Sequence, residues 1–431
     1  MRKILFIIYS GIILLLLARA EYQTLPLLSA NGSYIGAAQP IQGATLVYEA
    51  SPLKQDNVES VYRENSSRQG FVKSDVIFSP FKLLWRVQKL NNAIHGASKS
   101  SPAVTSKDFF IADDSGYLRA YNNSGHISWE FYTGLSSRGM HATPVVSSDT
   151  VYIGDYAGYF YALNRKTGTV RWLTKAGVAV GSSAFLYKNK IYVGIELDGP
   201  NGFLLALDAQ SGQWLWTSSL TGNHPHSSPS LSAEKDLILM GSNTGEMVAY
   251  ELSTGKQKWK FQTGSDIKCA AAISNNTAYF TSWDEYLYAV DIDDGNLRWK
   301  LRLDGRAMNC PSVNEPGDTV IASGHYSHYA VNAQSGEVLW KFEIPHQEKL
   351  VLSSPLIIGF TGQEVVLLTC DETQVCLFDI KTQKILQRIE MGGALTSSPV
   401  FRDGKLYLAT LGDEGLLIFN QPTEYPMSHP E

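Results

Sequence analysis

Two cations and one indole stand at related places in this chain. Lys268 and Arg306 each fall just ahead of a short apolar segment, and Trp283 lies between them in a polar tip. Two positive side chains and a flat aromatic ring suit an anionic, planar small molecule, because the cations pair with carboxylates and the ring stacks. The same groups could grip a strand of another protein. Two histidine pairs also catch the eye. In His325-Tyr326-Ser327-His328 the spacing puts the rings on opposite faces of a strand, so a solvated tip is expected. In His224-Pro225-His226 the rings share a side, but no carboxylate lies nearby in sequence, and no metal site is expected. Cys370 and Cys376 flank one tip and could pair, while Cys269 and Cys310 lie one register apart in successive segments, as free thiols or as a second pair. There is no Cys-x-x-Cys, Gly-x-Ser-x-Gly, phosphate loop or His-Glu-x-x-His, so no catalytic residue is assigned.

The elements that carry these residues repeat. A glycine ending a polar turn is followed four residues later by tryptophan at Gly125/Trp129, Gly168/Trp172, Gly212/Trp216, Gly255/Trp259, Gly295/Trp299 and Gly336/Trp340. Ahead of each runs a Ser/Thr-Pro entry, an apolar run, a polar tip and a second apolar run. The entries recur at Pro102, Pro144, Ala184, Pro229, Ala271, Pro311, Pro355 and Pro399. Within one unit, Tyr117-Leu118-Arg119-Ala120-Tyr121 alternates with the period of a strand. Four short antiparallel strands per unit cannot bury both faces alone, and stacking units around an axis solves that. The predicted fold is therefore all-β: an eight-bladed β-propeller of four-stranded blades over residues 81–420. Trp85 lacks three preceding strands, and the last unit stops after three, so residues 81–88 should supply its outer strand and close the ring. Trp85, Trp129, Trp172, Trp216, Trp259, Trp299 and Trp340 are expected to dock between blades. The seventh repeat departs most, with Gln383 for glycine and Gln387 for tryptophan.

This register collects one face. The loops entering the inner strands bring Lys99, His141, Gly181, His226, Lys268, Met308, Leu352 and Thr396, with Arg138, His224, Asp266 and Arg306 just outside. The tips bring Asp113, Asp114, Asp155, Tyr156, Glu196, Asp198, Glu246, Trp283, Asp284, Glu285, His325, His328, Asp371, Glu372, Asp413 and Glu414. A partly basic funnel inside an acidic rim is expected.

Composition sets outer bounds. Among 431 residues, 36 Lys and Arg meet 41 Asp and Glu, and no basic stripe appears, so nucleic acid is excluded as a partner. Residues 1–20 read as a secretory signal: Arg2 and Lys3, an apolar run, then Ala18-Arg19-Ala20 with cleavage near Ala20. The apolar run is short for a membrane span, so the mature protein is expected to be periplasmic or secreted and not integral to a membrane. Residues 21–80 lack periodicity and read as an extended or partly disordered leader that partly packs on the ring; residues 421–431 read as a tail.

The units ALDAQSGQWLW, ALNRKTGTVRW and AVDIDDGNLRW, ending at Trp216, Trp172 and Trp299, resemble the repeat of the pyrroloquinoline-quinone (PQQ)-type β-propellers. That family holds quinoprotein dehydrogenases and non-catalytic propellers, among them the propeller subunit of the bacterial outer-membrane β-barrel assembly machinery. If the chain followed the enzymes, the resemblance would imply PQQ with calcium, held by Lys268, Arg306 and Trp283, with Glu196, Asn309 and Asp266 of suitable type for the metal and the catalytic acid. The adjacent cysteine pair of those enzymes is absent, and the repeats carry no long insertions. The expected function is accordingly a non-catalytic, protein-binding scaffold with another envelope protein as partner and no cofactor. A PQQ-dependent alcohol or polyol dehydrogenase and a carbohydrate- or polymer-binding propeller stand as alternatives.

Overall fold

A computed structural model describes residues 58–88, 90, 100–135, 139–199, 201–219, 221–222, 224–345, 351–411 and 415–422, with short strands at Leu27–Leu28, Tyr34–Ile35 and Thr45–Val47. The signal segment 1–20 and the end of the tail lie outside the described residues, as do Lys99, Arg138, Asp413 and Glu414. Each repeat folds into an antiparallel sheet, and eight such blades form the ring. Blade one, from inside to outside, is Ala103–Val104, Asp108–Ala112, Tyr117–Asn122 and Ile127–Tyr132. Blade eight is Val400–Arg402, Lys405–Ala409, Leu416–Asn420 and then Lys82–Val87, with Ile418 paired to Trp85. The ring is thus closed by the N-terminal strand, as its orphaned tryptophan implied. No helix among the described residues is long and apolar enough to cross a membrane.

The Gly/Trp spacing sets the distance between blades. Gly212 turns at φ +68°, and a Cβ there would come within 2.5 Å of the Trp172 ring, so only glycine lets blade three sit down on that indole. The Trp172 Nε1 then donates to Ala209 O at 3.0 Å. The same wedge joins Trp129 to Gly168, Trp216 to Gly255, Trp259 to Gly295, Trp299 to Gly336 and Trp85 to Gly125. The Ser/Thr entries add a second seam, in which a backbone N–H donates to the hydroxyl one blade on: Ser101 N to Thr143 Oγ1 at 3.0 Å, Thr143 N to Ser183 Oγ at 2.9 Å, and Ser183 N to Ser228 Oγ at 2.9 Å.

The break in the seventh repeat falls at the closure. Blade eight has no turn joining its third and outer strands, because those come from opposite ends of the chain, so no glycine awaits a tryptophan from blade seven. Gln387 stands there instead. Its amide accepts from Phe81 N and donates to Phe81 O, both at 2.7 Å, and so holds the strand that shuts the ring.

Residues 58–73 plug one end of the central channel. Val58–Ser60 pairs with the inner strand of blade two, and Phe71–Lys73 runs parallel to Ile357–Gly359 of blade seven. Between them the backbone steps around the ring, accepting from Leu231 N at Ser66, Ile273 N at Ser67, Val313 N at Gln69 and Ile357 N at Gly70. Arg68 is wholly buried and donates to Pro229 O, Tyr62 O, Ser183 O and Ala184 O at 2.6–3.0 Å. Arg63 donates to Pro355 O, Pro311 O and Ser312 Oγ. Burial pulls the Arg68 guanidinium down to about 9 and Arg63 to about 10, so both stay charged at neutral pH. Thr45–Val47 adds a further strand to the outer edge of blade two.

Candidate functional site

The plug leaves the opposite face, where the inner strands begin, as the candidate site. Much of its acidic rim is occupied in building the tips. Asp155 is fully buried; its Oδ1 accepts from Ala157 N and Tyr159 N, and its Oδ2 from Thr133 Oγ1 and Tyr161 OH. Burial raises its pKa, and the four bonds oppose that. Asp113 closes its turn through Ser115 N and pairs with Arg119. Asp284 accepts from Gly264 N at 2.7 Å and Tyr288 OH at 2.6 Å, and Asp371 from Thr373 N and Gln374 N at 2.8 Å each. These carboxylates serve as turn caps.

Lys268, Trp283 and Arg306 come together. Lys268 Nζ lies 4.8 Å from the centre of the Trp283 ring and the Arg306 guanidinium carbon 5.5 Å. Lys268 is engaged: it pairs with Asp266 at 3.0 Å and donates to Asn243 Oδ1 at 2.8 Å, and Trp283 N donates to Asp266 O. Arg306 is exposed, while the indole N–H of Trp283 is buried and has no partner. Cation–π contacts hold the indole beside both charges.

A second cluster, not foreseen in the sequence, joins Glu196 to the His224/His226 pair. Glu196 ends the second strand of blade three, Lys190–Glu196, and its side chain is buried. His226 Nδ1 lies 3.0 Å from Oε1 and His224 Nδ1 3.4 Å from Oε2. Burial works to raise the carboxyl; the His226 bond and the charges of His226, His224 and Lys268 outweigh it and hold it below its ordinary value. The carboxylate missing from the local sequence thus arrives from across the blade. Around the ring, His141 pairs with Asp114 at 2.9 Å and packs on Tyr156, whose hydroxyl fills the space over Gly181. Asn309 is buried, with Nδ2 on Val351 O at 3.3 Å and Oδ1 without a partner. No group of three His, Cys, Asp or Glu among the described residues has metal-holding geometry.

The His325/His328 tip needs correction. His325 packs on Tyr326 at the tip with the rings tilted 43°, but His328 is buried within Ser327–Asn332, because the strand begins one residue before it. Its Nε2 donates to Thr369 O at 2.7 Å and its Nδ1 accepts from Ser323 Oγ at 2.6 Å, a neutral ring. Burial lowers its pKa to about 4 from 6.5. The unfolded chain then binds the extra proton, so the His328 contribution is full above pH 6.5 and is lost as pH falls toward 4, by about 3 kcal/mol. Melting curves of His328→Gln at pH 7 and pH 4.5 should converge relative to wild type; an unchanged pH slope would contradict the assignment.

The cysteines form two disulfides. Cys370–Cys376 bridges the second and third strands of blade seven, and Cys269–Cys310 joins blades five and six beside Tyr62, with Cα separations of 5.6 and 5.1 Å.

A family model described as "Outer membrane protein assembly factor BamB" matches residues 82–227, 114–266, 200–349 and 327–423. The outer membrane protein assembly factor BamB of Legionella pneumophila is 26% identical over 326 residues, 63% of this chain and 81% of that protein. The quinohemoprotein alcohol dehydrogenase ADH-IIG of Pseudomonas putida is 27% identical over 260 residues, half of this chain; the chain spans about a third of that enzyme's length, 34%. Among solved structures, the quinohemoprotein alcohol dehydrogenase of Comamonas testosteroni superposes with a TM-score of 0.71 at 13% identity, over 87% of this chain and 82% of the other, a likeness of fold alone. The matches to the family model overlap end to end across the Gly/Trp units that build the ring, and by them the chain belongs to the BamB-type family of PQQ-repeat β-propellers.

Proposed function

We propose that this chain is a non-catalytic β-propeller of the bacterial envelope that works as a protein-binding scaffold, in the setting of outer-membrane protein assembly. The observation that carries this reading is that Lys268, Glu196 and Asp266 in the funnel are already engaged with one another or with neighbouring side chains. The Lys268 charge is answered by Asp266 and Asn243, and the chain's own cations flank Trp283. A quinone bearing three carboxylates needs free cations and an open ring face. The donors for its calcium are also engaged separately, Glu196 by two histidines and Asp266 by Lys268. Of these three residues, Asn309 keeps a buried oxygen with no partner among the described residues. The residues present therefore fit that cofactor poorly. The BamB description of the family model and the two disulfides, which suit an oxidising compartment, support the same reading.

Lys268→Ala combined with Arg306→Ala tests it. The double variant should stay folded and lose no more than about 2 kcal/mol, since Arg306 is exposed and Lys268–Asp266 is one half-buried pair. It should also capture the same envelope proteins by affinity purification. Calorimetry of wild type with PQQ, with and without calcium, should give no heat of binding. Micromolar binding abolished by Lys268→Ala, together with alcohol-dependent dye reduction, would overturn the scaffold in favour of a dehydrogenase.

A further inference from the structure

The seam formed by the Ser/Thr entries is interrupted at blade five. The residue whose hydroxyl accepts a backbone N–H from the preceding blade is Thr143, Ser183 and Ser228 in blades two to four. The same place holds Ala270 in blade five and Cys310 in blade six. Neither has a hydroxyl, so the bonds stop on both sides of blade five. They resume where Cys310 N donates to Ser354 Oγ at 2.9 Å. Between blades four and five, side chains of blade four take over: Ser227 Oγ donates to Cys269 O at 3.0 Å and Ser230 Oγ to Ala271 O at 2.6 Å. Between blades five and six the replacement is covalent, the Cys269–Cys310 disulfide.

That bridge lies against the plug. Cys310 is wholly buried, Cys269 is 6% exposed, and Tyr62 packs on the cluster they form with Ala270, its hydroxyl 3.4 Å from the Cys310 sulfur. Tyr62 is itself held: its carbonyl accepts from Arg68 Nη1 at 2.6 Å and its hydroxyl from Ser398 Oγ at 3.4 Å. A disulfide forms or opens only when a thiolate can reach one of its sulfurs. With Tyr62 in place the plug end of the channel gives no such approach. The two structures also need different amounts of ring. The bridge joins neighbouring blades across 41 residues of sequence. The plug takes bonds from blades two to eight, through Ser60, Arg68, Ser66, Ser67, Gln69, Gly70 and Tyr62 in turn.

We propose that a protein disulfide oxidant makes Cys269–Cys310 while the channel is unplugged, and that the plug then seals the bond. The Cys269 thiolate, on the more accessible of the two residues, attacks the oxidant's disulfide. That S–S bond breaks, a mixed disulfide forms and one oxidant thiolate leaves. The Cys310 thiolate then attacks the Cys269 sulfur, the bridge forms and the second oxidant thiolate leaves. Two electrons pass to the oxidant, and the two protons lost by the cysteines balance the two taken up by its dithiol. Seating of Tyr62 closes the same approach to reductants, so the bridge is installed in one direction. This sequence of events does not depend on what the ring binds.

The test follows both bridges of the full-length native protein during exposure to dithiothreitol, by alkylation and peptide mass spectrometry. Cys370–Cys376, within blade seven and away from Tyr62, is the internal control. Cys269–Cys310 should persist in wild type and in Tyr62→Phe, which keeps the covering ring, and should open about tenfold faster in Tyr62→Ala. Cys370–Cys376 should open at one rate in all three. In a second arm, reduced wild type is refolded alone and then given an oxidant carrying Cys-x-x-Cys. It should gain the Cys269–Cys310 bridge about tenfold more slowly than protein refolded with the oxidant present. A reduced chain whose residues 58–73 stay open to proteolysis also places the bridge before the plug. Equal opening of Cys269–Cys310 in wild type and Tyr62→Ala overturns the proposal. So does acceleration of both bridges together, which would mean that reduction passes through unfolding. Rapid oxidation of refolded protein whose plug is protected from proteolysis overturns it as well, and this arm decides on wild type alone if Tyr62→Ala does not fold.

Discussion

Arg68→Ala is expected to destabilise the fold by about 5 kcal/mol, near the upper end for a single substitution. The change leaves Pro229 O, Ser183 O, Ala184 O and Tyr62 O without their common donor, inside the ring where water cannot replace it. Each buried carbonyl so orphaned costs about 1–3 kcal/mol, and the cavity left by a fully buried side chain adds to that. Urea unfolding followed by tryptophan fluorescence measures the loss. Arg68→Lys should recover only part of it, since one ammonium cannot reach acceptors from blades three and four together. A loss below about 1 kcal/mol would mean that the plug folds independently of the ring.

Deleting residues 81–90 should prevent a stable monomeric ring altogether. The deletion removes Lys82–Val87 from blade eight, bares the edge of Leu416–Asn420, and takes away Trp85, which packs on Gly125 and Phe109 of blade one. The unpaired edge invites association between chains. Gel filtration should show aggregates, and limited proteolysis should cut within blade eight. Supplying residues 78–90 as a peptide should restore a monomer, because Phe81 can then rejoin Gln387. The milder Trp85→Ala should cost about 3–5 kcal/mol. A deletion variant that stays monomeric with an unchanged melting curve would show that the ring does not depend on its latch.

What could be read from the sequence followed from repetition. Each blade's tryptophan, glycine and Ser/Thr entry recur at a fixed distance, so strand order, blade number and the unpaired Trp85 were legible before any coordinates. The register also brought Lys268, Trp283 and Arg306 to one place, since equivalent positions in successive blades must be neighbours. The plug was not legible. Residues 58–73 have no period because their partners are backbone carbonyls and amides of several blades, and backbone groups leave no trace in side-chain pattern. The pairing of Glu196 with the histidines escaped for a related reason: it is 28 positions from His224, and the fold brings them to 3.4 Å. Gln383 and Gln387 looked like decay of the repeat. Gln387 marks the seam where the ring is shut, so that departure from the pattern carried information of its own, while at Gln383 the wedge persists, with Trp340 Nε1 donating to Ile380 O at 3.2 Å.

The pairing of Lys82–Val87 with Leu416–Asn420 also fixes the timing of biogenesis. A ribosome adds about 5–20 residues per second, so the first strand of the ring waits on the order of tens of seconds for its partner to be made. Until residues 416–420 are made blade eight cannot exist, and Lys82–Val87 has no strand to pair with although Gly125, beneath Trp85, was made early. Sequence separation this long slows folding as well as delaying its start. The nascent chain therefore remains an open arc until translation is nearly over, and closure comes as a single late event that tests whether the whole polypeptide has been made: a product truncated before residue 416 has nothing for its own beginning to join.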